Sequence, residues 1–161
     1  MNTFKSFFAT TLTALALLGS VSQVHAQDEA QARNEAIASR GLFINLTTDD
    51  TWAAAKAISF AHEKVLKNGH SPVAIWLNVR GVYLAEAGRP SHVHGLMRER
   101  DMSIQDMLTA FMADGGQVIM CSACSAAAGL TLEDYIDGVE MGTWPVVEGL
   151  LFDPNVTTLS W

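Results

Sequence analysis

Four short apolar runs separated by stretches of helical periodicity constrain this chain more than any other feature. Leu42 to Leu46, Pro72 to Leu77, Gln117 to Met120 and Val156 to Leu159 have the length and apolar content of buried strands, and Val139 to Met141 is a shorter extended piece. After the first run, Thr47-Thr48-Asp49-Asp50 offers several N-cap candidates. Ala54, Ile58, Ala61 and Val65 then repeat at the helical interval, with Gly69 to close the helix. Ser103-Ile104-Gln105-Asp106 reads as a capping box opening a helix whose apolar stripe is Ile104, Met107, Leu108, Phe111 and Met112. Thr131-Leu132-Glu133-Asp134 is a second capping-box candidate, and Thr143 is expected to cap a helix with Pro145 near its first turn. Strands alternating with helices predict an α/β domain, because right-handed crossovers return each strand parallel to its predecessors. The segment Val82 to Ala85 is ambiguous, and Ala87 to Arg100 reads as a polar loop. Such a loop is expected at the carboxyl rim of the sheet, where ligands usually bind.

The third run leads directly into chemistry. Val118-Ile119-Met120 ends in Cys121-Ser122-Ala123-Cys124, which opens a small-residue helix closed by Gly129. The carboxyl end of a parallel strand emerges at the sheet rim, and the free N–H groups of the following helix favour a thiolate there. Cys121 lies nearest those N–H groups and is expected to be the reactive thiol. Cys124, one turn inside, is expected to be the more shielded and dependent partner, close enough for a disulfide. The pair also admits a plainer reading as two small buried residues, or as half of a zinc site lacking its second ligand pair. Asn45 and Thr47, ending the first strand, are candidates for the same rim.

The amino terminus points to export. Lys5 supplies a positive charge, Phe7 to Leu18 an apolar stretch, and Val24-His25-Ala26 a small-residue cleavage site. A signal peptide over 1–26 is therefore expected, followed by a polar linker or loose helix over 27–40 and a domain over 41–161. The destination would be a periplasmic or secreted one. No segment is long and apolar enough to suggest a membrane span. Without residues 1–26 the chain has nine basic and seventeen acidic residues, a balance that argues against nucleic acid as a partner. An exported Cys-x-x-Cys meets oxidising conditions and is expected to spend time as a disulfide.

Other candidate ligands are sparser. His92-Val93-His94 would present two rings on one side of an extended stretch, as two ligands of copper or zinc would, with Met97 nearby; a solvated loop is the alternative. Arg89, Arg98 and Arg100 suit an anion or plain surface charge. The methionines fit core positions, and Trp52, Trp76, Trp144 and Trp161 fit core or subunit contacts. With no Gly-x-Gly-x-x-Gly and no phosphate loop, no nucleotide or flavin cofactor is expected.

The set of segments resembles the DsrE/DsrF-like family. It comprises the glycine-led first strand ending Asn-Leu-Thr-Thr-Asp-Asp, Gly81-Val82-Tyr83-Leu84-Ala85, the strand into Cys121 with Gly129 eight residues on, and Gly129-Leu130-Thr131-Leu132-Glu133-Asp134 followed by Gly138-Val139. The resemblance implies a flavodoxin-like three-layer sandwich with a mainly parallel sheet of about five strands. It also implies a trimer or hexamer, and sulfur carried as a persulfide at Cys121. The function expected on these grounds is sulfur transfer or the handling of a sulfur compound, with a sulfur-carrier protein or small sulfur compound as partner. If active, the chain would be a sulfurtransferase-like carrier. A non-enzymatic oligomeric module binding a metal or protein, and a dithiol–disulfide exchanger, are the alternatives.

Overall fold

The computed structural model describes residues 25–37, 40–90 and 101–161. His92, His94, Met97, Arg98, Arg100 and most of the expected signal peptide lie outside the described residues. Residues 1–37 and 38–161 form two separate units. In the first, 25–37 is a helix of exposed residues. No helix among the described residues is long and apolar enough to cross a membrane.

The second unit is the α/β domain. Its sheet comprises β1 (Gly41–Leu46), β2 (Val73–Leu77), β3 (Gln117–Cys121), β4 (Glu140–Gly142) and β5 (Val156–Ser160). The order is β4-β3-β2-β1-β5, and every pairing is parallel. Strand alternation divides the apolar side chains between two faces. Leu42, Ile44 and Leu46 of β1, Val73, Ile75 and Leu77 of β2, and Val118 and Met120 of β3 join one core. Phe43, Ala74 and Ile119, the residues between them, join the other. Three layers result, as expected of a flavodoxin-like architecture.

The larger core is roofed by two helices. α1 (Thr51–Ser59) starts at Asp50, whose side chain accepts from the Ala53 N–H at 2.7 Å. The helix expected to run to Gly69 instead widens into a π-helical stretch at Phe60–Val65 and tightens into a 3₁₀ turn at Leu66–Asn68, before Gly69 ends it at φ 86°. The wide turn carries His62, which is 7% exposed and hydrogen-bonds Asp114 Oδ2 at 2.7 Å. That contact ties the stretch to the end of α2 (Ile104–Ala113). α2 begins with the capping box read from Ser103 and Asp106, and it buries Ile104, Met107, Leu108 and Phe111. Each fully buried aliphatic side chain of this layer contributes about 1.5–3 kcal/mol. The smaller core is covered by α4 (Trp144–Leu151) through Val147. Thr143, expected as the cap of this helix, stands at its N-cap position but makes no side-chain cap hydrogen bond.

The ambiguous segment after β2 is a 3₁₀ element, Val79–Ala85, capped by the Asn78 side chain. It lies against the end of β1, and a Cβ on Gly81 would collide with the Leu46 carbonyl oxygen. Only glycine permits that approach. The contact brings the residues leaving β2 beside those leaving β1 and β3.

Candidate functional site

The carboxyl ends of β1, β2 and β3 deliver Asn45, Asn78 and Cys121 to one rim. Cys121 ends β3 and is the N-cap of α3 (Ser122–Ala128), which stops at Gly129 with φ 75°. Its extended backbone, at φ −66° and ψ 107°, turns the chain so that the Cys124 N–H donates to Cys121 Sγ at 3.2 Å. A sulfur thus occupies the position where an N-cap oxygen usually satisfies a free N–H, and the same N–H would stabilise a thiolate. Cys121 and Cys124 are disulfide-bonded, with their Cα atoms 5.2 Å apart. The shielding is the reverse of that expected from the sequence. Cys121 is 8% exposed and belongs to the core, whereas Cys124 is only partly buried at its edge.

Cys124 faces the turn after β2. The Val79 N–H donates to Cys124 Sγ at 3.3 Å and to Asn78 Oδ1 at 2.8 Å, and Asn78 Oδ1 lies 3.1 Å from Cys124 Sγ. Asn78 Nδ2 in turn donates to Asn45 Oδ1 at 3.2 Å. Val79 is a β-branched residue at φ 51°, a conformation that such residues seldom adopt. That strained backbone is what aims its N–H at the sulfur. Asn45, a candidate from the sequence, therefore belongs to the network as the support of Asn78. Thr47 sits differently: its hydroxyl donates to the Trp161 carbonyl at 2.8 Å, extending the join between β1 and β5.

Sequence reasoning missed Asn78, Val79 and Arg80. Their only signal was position, directly after an apolar strand whose end faces the rim. Arg80 makes a two-point contact with Asp49, Nε to Oδ1 at 2.9 Å and Nη2 to Oδ2 at 2.7 Å. Arg89 reaches the same carboxylate at 3.3 Å, and its guanidinium lies 4.5 Å over the Tyr83 ring. Arg89, a candidate anion ligand, is thus engaged within the protein. On the inner side of α3, Tyr135 donates to the fully buried Ser125 hydroxyl at 2.7 Å, anchoring the cysteine helix. Burial pushes the Tyr135 phenol up, partly opposed by that hydrogen bond.

Hydrogen bonding from Arg80 holds Asp49 below the ordinary carboxylate range, with burial acting against it and the charge of Arg80 adding to it. A carboxylate with a lowered folded pKa stabilises the fold above its unfolded value, and that contribution is lost as pH falls through the folded value. The unfolding temperature of Asp49→Asn is therefore expected to lie below the parent's at pH 7. The gap should close as pH falls below about 4. Thermal unfolding from pH 7 to 2 measures this, and a gap independent of pH would refute it.

A groove of about 330 Å³ lies between α1 and α2, with Ile58, His62, Lys67, Met102, Met107 and Asp114 among its lining. Its polar groups pair with one another: Asp114 holds His62 and lies 3.7 Å from Lys67. The cysteines are at the sheet rim, outside this groove. Among the described residues, no cluster of three or more His, Cys, Asp or Glu side chains suits a metal ion.

No family model matches the chain. Over 72 residues it is 35% identical to the uncharacterized protein MK0008 of Methanopyrus kandleri, a match spanning 44% of this chain and 53% of that protein. The chain thus spans about half the length of that curated relative. Among solved structures, the YchN protein of E. coli superposes with a TM-score of 0.59 at 20% identity, covering 75% of this chain and 99% of YchN. MTH1491 of Methanobacterium thermoautotrophicum, a protein of unknown function, superposes with a TM-score of 0.51 at 14% identity, covering 76% and 99%. At these identities the likeness is one of fold, the parallel α/β sandwich that the chain shares with YchN and MTH1491.

Proposed function

We propose that this chain is an exported, DsrE-like sulfur-transfer protein that carries sulfane sulfur on Cys121, with Cys124 as the resolving thiol. The observation that supports this reading is the placement of Cys121 Sγ at the N-cap of α3, under the Cys124 N–H and beside Cys124 Sγ. In the reduced pair, the Cys121 thiolate attacks the terminal sulfur of a donor persulfide, R–S–SH. Its S–S bond breaks, RS⁻ leaves, and Cys121–S–SH forms. Where no acceptor takes that sulfur, Cys124 attacks Cys121 Sγ, expels hydrosulfide and forms the disulfide, which an external dithiol returns to the reduced state.

Export to a periplasmic or secreted location rests on Lys5, the apolar stretch and the Ala26 site, and it would make the disulfide a resting state between turnovers. Assembly as a trimer or hexamer would cover the apolar surface at the end of the smaller core, where Trp144 and Phe152 are 60% and 69% exposed beside Val146 and Leu151.

Brief treatment of the reduced protein with inorganic polysulfide tests the reading. The intact mass is expected to rise by about 32 Da per chain, and the increment should disappear with dithiothreitol. The disulfide itself favours a second reading, dithiol–disulfide exchange. That reading predicts a loss of about 2 Da on oxidation of the parent and no added mass in Cys124→Ser, where no neighbouring thiol can expel an added sulfur.

A further inference from the structure

In the disulfide the two sulfurs have different neighbours, and the difference traces to one side chain. Cys121 Sγ receives an N–H, from Cys124, and no acceptor oxygen is hydrogen-bonded to it among the described residues. Cys124 Sγ instead lies 3.1 Å from an amide oxygen, Asn78 Oδ1, which cannot donate. The amide cannot profitably turn round. Its oxygen already accepts from the Val79 N–H, and its nitrogen donates to Asn45 Oδ1, so a flip would oppose donor to donor and acceptor to acceptor. The Val79 N–H, the one donor bonded to Cys124 Sγ among the described residues, is shared with that same oxygen.

We propose that Asn78 is a positioning residue that keeps the proton of the reduced pair on Cys124, whose S–H donates to Asn78 Oδ1, and so leaves Cys121 as the thiolate. The purpose of this assignment rests on the sulfur-transfer reading, but its physical content does not. A thiolate on Cys124 would face the amide oxygen at hydrogen-bond distance with no proton between them. A thiolate on Cys121 meets, among the described residues, the N–H of its own helix. Asn45 fixes the orientation of the amide, so three strand ends together decide which sulfur is nucleophilic. Among the described residues, the ionisable groups of the elements packed against α3 do not bond either sulfur. Arg80 and Arg89 are held on Asp49, Tyr83 lies beneath both guanidiniums, and Tyr135 is bonded to Ser125. None of them distinguishes the thiols as Asn78 does.

The test uses full-length reduced protein and no sulfur donor, so its outcome is independent of whether sulfur transfer occurs. Iodoacetamide labelling of Cys121 and Cys124 is followed from pH 5 to 9 and resolved by fragment masses, in the parent, Asn78→Ala and Asn78→Asp. In the parent, Cys121 is expected to react about tenfold faster than Cys124 near neutral pH. Asn78→Ala removes the oxygen and releases the Val79 N–H wholly to Cys124, so the ratio should fall toward unity. Asn78→Asp keeps the shape but places a negative charge beside Cys124, so the ratio should rise, with the Cys124 profile moving to higher pH. A merely structural role for Asn78 would move both variants in the same direction. That result, or ratios unchanged in both, overturns the proposal. Should Asn78→Ala fail to fold, Asn78→Asp decides alone: a ratio that falls or stays level is the overturning result.

Discussion

Serine at position 121 is expected to abolish sulfur loading while leaving the fold in place. The oxygen of Cys121→Ser still accepts the N–H of residue 124, and serine is a favoured N-cap, so α3 keeps its start. What disappears is the nucleophile, because a hydroxyl is not ionised at neutral pH and Cys124 is held as a protonated thiol on Asn78. Loading from polysulfide should fall by about 100-fold or more. Cys124→Ser should behave oppositely. Loading persists, and the persulfide outlives the parent's by about tenfold or more, since the neighbouring thiol that expels it is gone. Intact masses followed over time distinguish the two, provided the parent is compared in its reduced state so that loss of the disulfide does not enter. A Cys121→Ser protein that loads like the parent would place the carrier elsewhere.

Alanine at position 81 is expected to produce a large loss of stability. The added Cβ would collide with the Leu46 carbonyl oxygen, a backbone atom of β1 that also accepts from the Asn78 N–H and so cannot move aside freely. Accommodation requires the Val79–Ala85 element to lift off the sheet, although its Val82, Leu84 and Ala85 are buried. The cost should be about 3 kcal/mol, seen as a fall of roughly 10 °C in unfolding temperature. Displacing that element also withdraws Asn78 and Val79 from Cys124, so the labelling asymmetry of the thiols should weaken in Gly81→Ala at temperatures where it remains folded. Gly88→Ala is the control. A Cβ there meets nothing within 4 Å, and the change should stay within about 0.5 kcal/mol. Equal unfolding temperatures for both variants would contradict the account of the contact.

These two positions also show what the sequence makes legible. The strands β1, β2 and β3 were readable because each is a short apolar run buried on both faces, and helix starts at Asp50, Ser103 and Thr131 because capping is a local chemistry of one side chain and a nearby N–H. Cys121 was readable for the same reason: strand, cap and helix are consecutive in the chain. The remainder of the site is not local. Asn78 reaches Cys124 across 46 positions and Asn45 across 33, and no periodicity encodes a contact made by the ends of different strands. Gly81 belonged to a segment that resembles a known family, yet its reason, the approach to Leu46, requires the sheet to be assembled. The π-helical stretch at Phe60–Val65 continues the apolar spacing of α1 and leaves no separate mark in the sequence. Thr47 was grouped with the rim by its place at a strand end, but β5 pairs beside β1 and brings the Trp161 carbonyl to its hydroxyl. The shielding of the thiols reversed because Cys121 still belongs to the buried strand, whereas Cys124 stands where α3 meets the exposed turn at Val79.

The most direct measurement is the residue-resolved mass of the loaded protein. Reduced parent protein is treated briefly with polysulfide, alkylated at once, digested and fragmented between Cys121 and Cys124. The account predicts the additional sulfur on Cys121, with Cys124 alkylated as a plain thiol. Sulfur found on Cys124 with Cys121 unloaded, or on neither cysteine, would contradict it.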